Sequence, residues 1–198
     1  MPSSGDTLRC FVAIDLPDEL RAAVAQAQRA LRREAGPADV RWVDPGALHL
    51  TLAFLGAVGE RQRAPIEAAL RALAESHAPL ALAAAGLGAF PSPRRARVVW
   101  VGIAGGAGAL ARLAVDVEAA LAQLGFPPES RPFQGHVTLG RVRRPDGLSR
   151  LAAAIEAGAG TSFGAWTARE IVLYQSRLGP TGAVYVPLAH VPLGPRDA

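Results

Sequence analysis

Apolar positions along the chain switch between two periods in a regular order. Leu8 to Leu16 read as a strand, after which Pro17-Asp18 opens a helix whose Leu20, Val24, Ala27 and Leu31 fall at helical spacing until Gly36-Pro37 stops it. Val40 to Val43 and His49 to Leu55 predict short strands joined through Asp44-Pro45-Gly46, and Glu60 to Ser76 predicts a second helix with Ile66, Ala69, Leu70 and Leu73 on one face. Leu80 to Leu87 and Val98 to Ile103 are strands separated by Pro91-Ser92-Pro93-Arg94-Arg95. Leu110, Leu113, Val117, Leu121 and Leu124 mark a third helix, capped by Gly125. His136 to Val142 predicts a strand and Leu148 to Ala157 a short helix. Two last strands follow, Trp166 to Ser176 and Ala183 to His190, joined by a Gly179-Pro180-Thr181-Gly182 turn. Strands interleaved with about four helices predict an α+β fold with mainly antiparallel sheet, and no segment reads as a linker between domains.

Composition narrows the class. The chain has 198 residues, half of them hydrophobic, enough for one generous core. Its mean hydropathy of +0.19 owes much to alanine. The longest uncharged stretches, such as Val98 to Ala111, are broken by glycine and fall short of the roughly 20 apolar residues a membrane span needs. Met1 to Asp6 lacks the basic-then-apolar pattern of a secretory signal, so a cytoplasmic protein with no membrane partner is expected. Cys10, the only cysteine, excludes an internal disulfide and sits among apolar residues as a small hydrophobe. The net charge is +4 and all 21 basic residues are arginine. Without lysine, Schiff-base chemistry and P-loop phosphate binding are excluded, while guanidinium recognition of phosphate stays open and suits a polyanion such as RNA.

One internal echo stands out. His49-Leu50-Thr51-Leu52 returns 87 residues later as His136-Val137-Thr138-Leu139. Alternate side chains of a strand share a face, so His49 and Thr51 are expected on one side with Leu50, Leu52 and Phe54 in the core, and His136 and Thr138 opposite Val137 and Leu139. With four histidines and six threonines in the chain, two chance His-x-Thr matches should arise in about one chain in 200. The other histidines lack such a partner. His77 ends the second helix and His190 lies in the last strand, and both read as structural.

Two histidines and two threonines are a poor metal set, because zinc sites use three or four protein ligands and threonine is rarely one. No Gly-x-Ser-x-Gly elbow is present for a serine nucleophile. Displacement at phosphorus fits. One neutral imidazole takes a proton from the attacking oxygen, the other, protonated, supplies one to the leaving oxygen, and the threonine hydroxyls donate to the non-bridging oxygens. Neither metal nor cofactor is expected.

At these residues the chain resembles the two-histidine (2H) phosphoesterase superfamily, specifically the RNA 2′,3′-cyclic phosphodiesterases, also called 2′-5′ RNA ligases. The likeness extends through Arg9 to Ile14, Arg41-Trp42-Val43, Phe54-Leu55-Gly56, Phe90 to Arg95, Val99-Trp100, Arg141 and Leu173 to Leu178. Gly135, where the family often has proline, and Cys10 depart from it. The resemblance implies a bilobal, pseudo-twofold fold: two mainly antiparallel sheets around a central cleft, helices outside, one domain over residues 1–198, and one motif per lobe (49–52 and 136–139). It also implies metal-independent hydrolysis of a 2′,3′-cyclic phosphate to the 2′-phosphomonoester. In that reaction His49 is the proton donor to the 3′ oxygen and His136 the proton acceptor from water. RNA ends or small cyclic nucleotides are the implied partners, bound by a monomer.

Arg141 is a further phosphate candidate beside Thr51 and Thr138. Strict alternation from His136 places it on the core face, so reaching a cleft needs a bulge or the strand's end. Trp42, Phe133 and Tyr174 are candidates for stacking on a base, and Arg94, Arg95 and Arg97 for an RNA backbone. Two other functions share these residues: RNA ligation, which is the same site run in reverse, and a catalytically idle RNA-binding module.

Overall fold

The computed structural model describes residues 7–144, 146–179 and 182–195, without the Leu178 side chain. Its elements are β1 (Leu8–Asp15), α1 (Asp18–Glu34), β2 (Asp39–Trp42), β3 (His49–Val58), α2 (Glu60–Ala74), β4 (Leu80–Phe90), β5 (Val98–Gly105), α3 (Ala107–Ala122), β6 (His136–Arg144), α4 (Ser149–Ala157), β7 (Ser162–Ala168), β8 (Glu170–Gly179) and β9 (Gly182–Pro192). The class is α+β and every strand pairing is antiparallel, as the periodicity predicts. Helix α1 is set by its sequence at both ends. Asp18 and Glu19 lie in its first turn and Arg32 and Arg33 in its last, complementing the helix dipole, while Leu20, Val24, Gln28 and Leu31 form its buried face. No helix among the described residues is long and apolar enough to cross a membrane.

The strands form one continuous sheet in the order β7-β4-β5-β6-β3-β1-β8-β9, with β2 paired to β6. The two expected sheets are therefore joined, and among the described residues only through one pair, Leu50↔Val137, between β3 and β6. Both residues are fully buried. Beyond that pair β2 takes over the edge of β6 that β3 leaves, pairing Arg41 with Arg141 and Trp42 with Gly140.

The segment predicted as one strand, Trp166 to Ser176, is two. It breaks at Arg169, and β7 and β8 lie six strand spacings apart in the order. In a flat sheet that separation is about 29 Å, far more than one residue spans, so the sheet curls its two halves toward each other. No glycine or proline marks the break, which is why the pattern hides it. The turn closing β8 to β9 at Pro180 and Thr181 lies outside the described residues.

Each motif strand carries a bulge at its leucine. On β3, Ala53 pairs with Val12 but Thr51 with the very next residue, Ala13, leaving Leu52 extra. On β6, Gly140 pairs with Val99 and Thr138 with Trp100, leaving Leu139 extra. The bulge reverses the alternation after each motif. Phe54, expected in the core, is instead 56% exposed, and Arg141 turns outward. The β6 bulge is pinned from α1. Gln28, buried at 4% exposure, donates from Nε2 to the carbonyls of Leu139 (2.9 Å) and Val43 (2.7 Å), and the Val43 N–H donates to the same Leu139 oxygen (2.9 Å). Gly140 leaves room here, since a Cβ would lie 2.8 Å from Val40 Cγ1 and 2.9 Å from Trp42 Cε3.

Replacing Gln28 with leucine strips a donor from two carbonyls inside the fold. Urea unfolding of Gln28→Leu should show a loss of about 1–3 kcal/mol, and an unchanged midpoint would mean that the Gln28 clamp does not stabilise the bulge.

Candidate active site

His49 and His136 begin β3 and β6, on either side of the junction pair. Continuing the antiparallel register one step each way sets His49 across from Thr138 and Thr51 across from His136. The four side chains share one face, partly exposed, while Leu50, Leu52, Val137 and Leu139 are buried on the other. The predicted division is therefore present in both copies. Among the described residues neither threonine hydroxyl has a hydrogen-bond partner within the protein.

Both imidazoles are held in the same way. His49 Nδ1 lies 2.8 Å from the Ala47 carbonyl and His136 Nδ1 lies 2.7 Å from that of Gln134. A carbonyl only accepts, so each Nδ1 carries hydrogen and the neutral ring keeps its lone pair on Nε2. Each ring also meets an aromatic edge at close to a right angle: Tyr185 at 5.0 Å from His49, and Phe90 at 5.0 Å from His136. Phe11 lies 4.8 Å from His49 and stacks on Tyr174 at 5.3 Å.

The two environments differ in charge. Burial is the main influence on His49 and pushes it below its ordinary value. The Ala47 hydrogen bond and the Asp15 carboxylate oppose this, while the charges of His136 and Arg21 add to it. His136 is also pushed down, first by burial and then by Arg141, against the hydrogen bond to Gln134. The difference starts in the ladders: Asp15 pairs with His49, whereas Gly102 occupies the corresponding place opposite His136.

A cavity of about 590 Å³ opens beside His49 and reaches Arg141, Trp42 and Tyr174. The Tyr174 hydroxyl donates to Asp15 (2.8 and 2.9 Å to the two carboxylate oxygens), so with its ring against Phe11 this residue supports the wall of the site. Phe133 lies elsewhere, in a second cavity of about 390 Å³ with Trp100 and Gln134. Arg94 pairs with Glu156 at 3.5 Å. His77 and His190 pair with Asp116 (3.0 Å) and Glu170 (3.1 Å). Burial drives the Cys10 thiol up to about 11, which leaves it a poor nucleophile. Among the described residues no three His, Cys, Asp or Glu side chains group as a metal-ligand set.

Sequence reasoning missed Asp15, Arg21, Arg41 and Tyr185, which also line the cavity beside His49. Asp15 was visible only through the β1–β3 register. Arg21 is placed by its hydrogen bonds to the carbonyls of Gly46 (2.9 Å) and Leu16 (2.7 Å), which no periodicity announces.

The chain matches the family model described as LigT like Phosphoesterase twice, over residues 14–100 and 101–185. It is 38% identical over 178 residues to an RNA 2′,3′-cyclic phosphodiesterase of Archaeoglobus fulgidus, covering 90% of this chain and 96% of that one. To one of Thermus thermophilus it is 34% identical over 190 residues, covering 91% and 88%. Among solved structures, TT0787 of Thermus thermophilus superposes with a TM-score of 0.79 at 31% identity, covering 96% of this chain and all of that one. The Escherichia coli LigT complex with ATP gives 0.71 at 30% identity, covering 96% and 99%. With two tandem matches that divide between β5's Trp100 and Val101 and place one His-x-Thr strand in each half, this chain belongs to the LigT-like phosphoesterase family.

Proposed function

We propose that the chain hydrolyses RNA or nucleoside 2′,3′-cyclic phosphates to 2′-phosphomonoesters by acid–base catalysis between His49 and His136, without a metal ion. The observation that carries this reading is the pair of Nδ1–H to carbonyl bonds, which leaves each Nε2 free beside the threonine of the opposite half. Membership of a phosphoesterase family and relatives named RNA 2′,3′-cyclic phosphodiesterase support the substrate class.

In the proposed step His136 Nε2 takes a proton from water as its oxygen attacks phosphorus. The bond from phosphorus to O3′ breaks, and His49 returns a proton to O3′, leaving a 3′ hydroxyl and a 2′ phosphate. Thr51, Thr138 and Arg141 donate to the non-bridging oxygens, where negative charge builds. Trp42 flanks the base, a role supported by its half-buried position on the cavity wall. Charge supports the division of labour. Asp15 favours the protonated form of His49, and Arg141 favours the neutral form of His136.

A cyclic-phosphate oligonucleotide should be hydrolysed by the wild-type protein at full rate in excess chelator, with His49→Ala and His136→Ala each about 10²–10⁴-fold slower. Activity lost to chelator would refute the metal-free step, and equal background in all three proteins would favour an idle binding module. Adding a 5′-hydroxyl RNA acceptor shows whether water or RNA takes the phosphate.

Since burial lowers both histidines, kcat/KM should follow a bell with its maximum below about pH 6.5. Its acid limb belongs to His136 losing a proton and its alkaline limb to His49 losing one. Asp15→Asn removes support for the His49 cation, so the alkaline limb should move to lower pH. Arg141→Gln removes a repulsion from the His136 cation, so the acid limb should move to higher pH. NMR titration of the two imidazoles reads both shifts directly, and movement of the opposite ring in either variant would reverse the assignment.

A further inference from the structure

Arg41 and Arg141 are direct partners in the β2–β6 ladder. Residues opposed in this way carry their side chains on one face with Cβ atoms about 5 Å apart, and like charges so placed repel. Both arginines are exposed and both line the cleft cavity. Among the described residues, none of the ion pairs that occupy arginines elsewhere involves either of them. Asp39, two residues before Arg41, pairs across the ladder with Arg144 and does not line the cavity, and Asp44, which does, accepts the Gly46 N–H at 2.8 Å, closing its own turn. Tyr185, whose ring lies 5.0 Å from that of His49, lines the same cavity as both arginines and completes the group; their charges pull its hydroxyl's pKa down against the larger effect of burial.

Two facing guanidinium groups outside any ion pair fit an anion. Arg41 marks a different place from the reacting phosphate. That phosphate belongs at the junction pair, between the His-x-Thr strands, and of the two arginines only Arg141 acts on His136. Arg41 stands across the ladder from Arg141, on the edge of β6 that β3 has left, so the pair extends the cationic surface away from the junction along the strands. A strand of RNA entering with its cyclic phosphate at the histidines carries its next negative charge one nucleotide away. A free cyclic mononucleotide carries none there.

Building on the function proposed above, we infer that Arg41, with Tyr185 beside it, forms a second phosphate subsite that holds the phosphodiester linking the terminal nucleotide to the rest of an RNA strand, while Arg141 stands between that linkage and the reacting phosphate. The cleft thereby distinguishes an RNA end from a free nucleoside cyclic phosphate. Arg41 contributes charge-assisted hydrogen bonds to that linkage and does not touch the reacting phosphorus.

The test is a binding cycle that needs no turnover. Dinucleotides ending in a 2′-phosphate, with either a native linkage or an uncharged methylphosphonate linkage, are titrated calorimetrically into wild-type protein and Arg41→Gln. The native linkage should bind wild type about tenfold more tightly than the uncharged one, and Arg41→Gln should reduce that preference to twofold or less. The slope of log K against log salt should fall by about 0.7 in the variant, the change expected when one phosphate is no longer neutralised. Two results overturn the subsite: a linkage preference that survives Arg41→Gln, or an equal loss of affinity for a mononucleotide 2′-phosphate, which places Arg41 on the reacting phosphate instead. Hydrolysis is scored separately with the cyclic-phosphate substrates. A protein that shows the predicted cycle but no turnover keeps the subsite and loses the catalytic reading, and the converse result does the reverse.

Discussion

A five-stranded and a four-stranded half of one sheet meet in this molecule at one backbone pair, Leu50 with Val137, and most of the site follows from how that pair is made. Antiparallel pairing at a single position leaves the neighbouring residues of both strands facing each other without a continuing ladder. The two histidines and two threonines occupy those positions. Because the side chains of the pair itself are sealed in the core, the polar quartet sits on a floor that water does not enter. Curling of the sheet then raises walls on either side, and a cleft appears where a flat sheet would offer only a surface.

Symmetry at the junction is broken one strand away. The backbone registers around the two motifs are the same, down to a bulge at each leucine, yet the residues they deliver differ. Asp15 faces His49 where a glycine faces His136, and Phe54 occupies on β3 the place that Arg141 occupies on β6. A duplicated frame thus presents like rings in unlike fields. That is what a reaction needs when one group must give a proton and another take it.

The legible part of this architecture was what repeats or alternates. The paired His-x-Thr motifs, the four helices and the antiparallel character followed from spacing, because burial of one face imposes a period on the residues that meet it. What stayed hidden was set by the partner strand. Phe54 and Arg141 change faces because Leu52 and Leu139 are each one residue too many for the neighbouring strand, and an extra residue leaves no mark on the sequence that carries it. Asp15 reads as the end of an apolar strand until β1 is laid against β3. Arg169 interrupts an apolar run without glycine or proline, so the crossing between the two ends of the sheet is invisible to local propensity. Tyr174, whose ring makes it a candidate for stacking on a base, turns its hydroxyl to Asp15 and its ring to Phe11, partners that only the folded chain brings to it.

The crossing at Arg169 has a mechanical side. Strands β7 and β8 belong to opposite halves and are tethered by a single residue, while the Leu193 N–H anchors the Arg169 carbonyl at 2.8 Å. Hinged enzymes need slack in the segments that link their lobes, and here there is almost none. The junction pair fixes the halves at one place and the Arg169 tether limits their parting at another. The cleft is thus a vice of fixed gauge, and a longer or bulkier substrate must be met by rotamers and surface loops rather than by spreading the jaws.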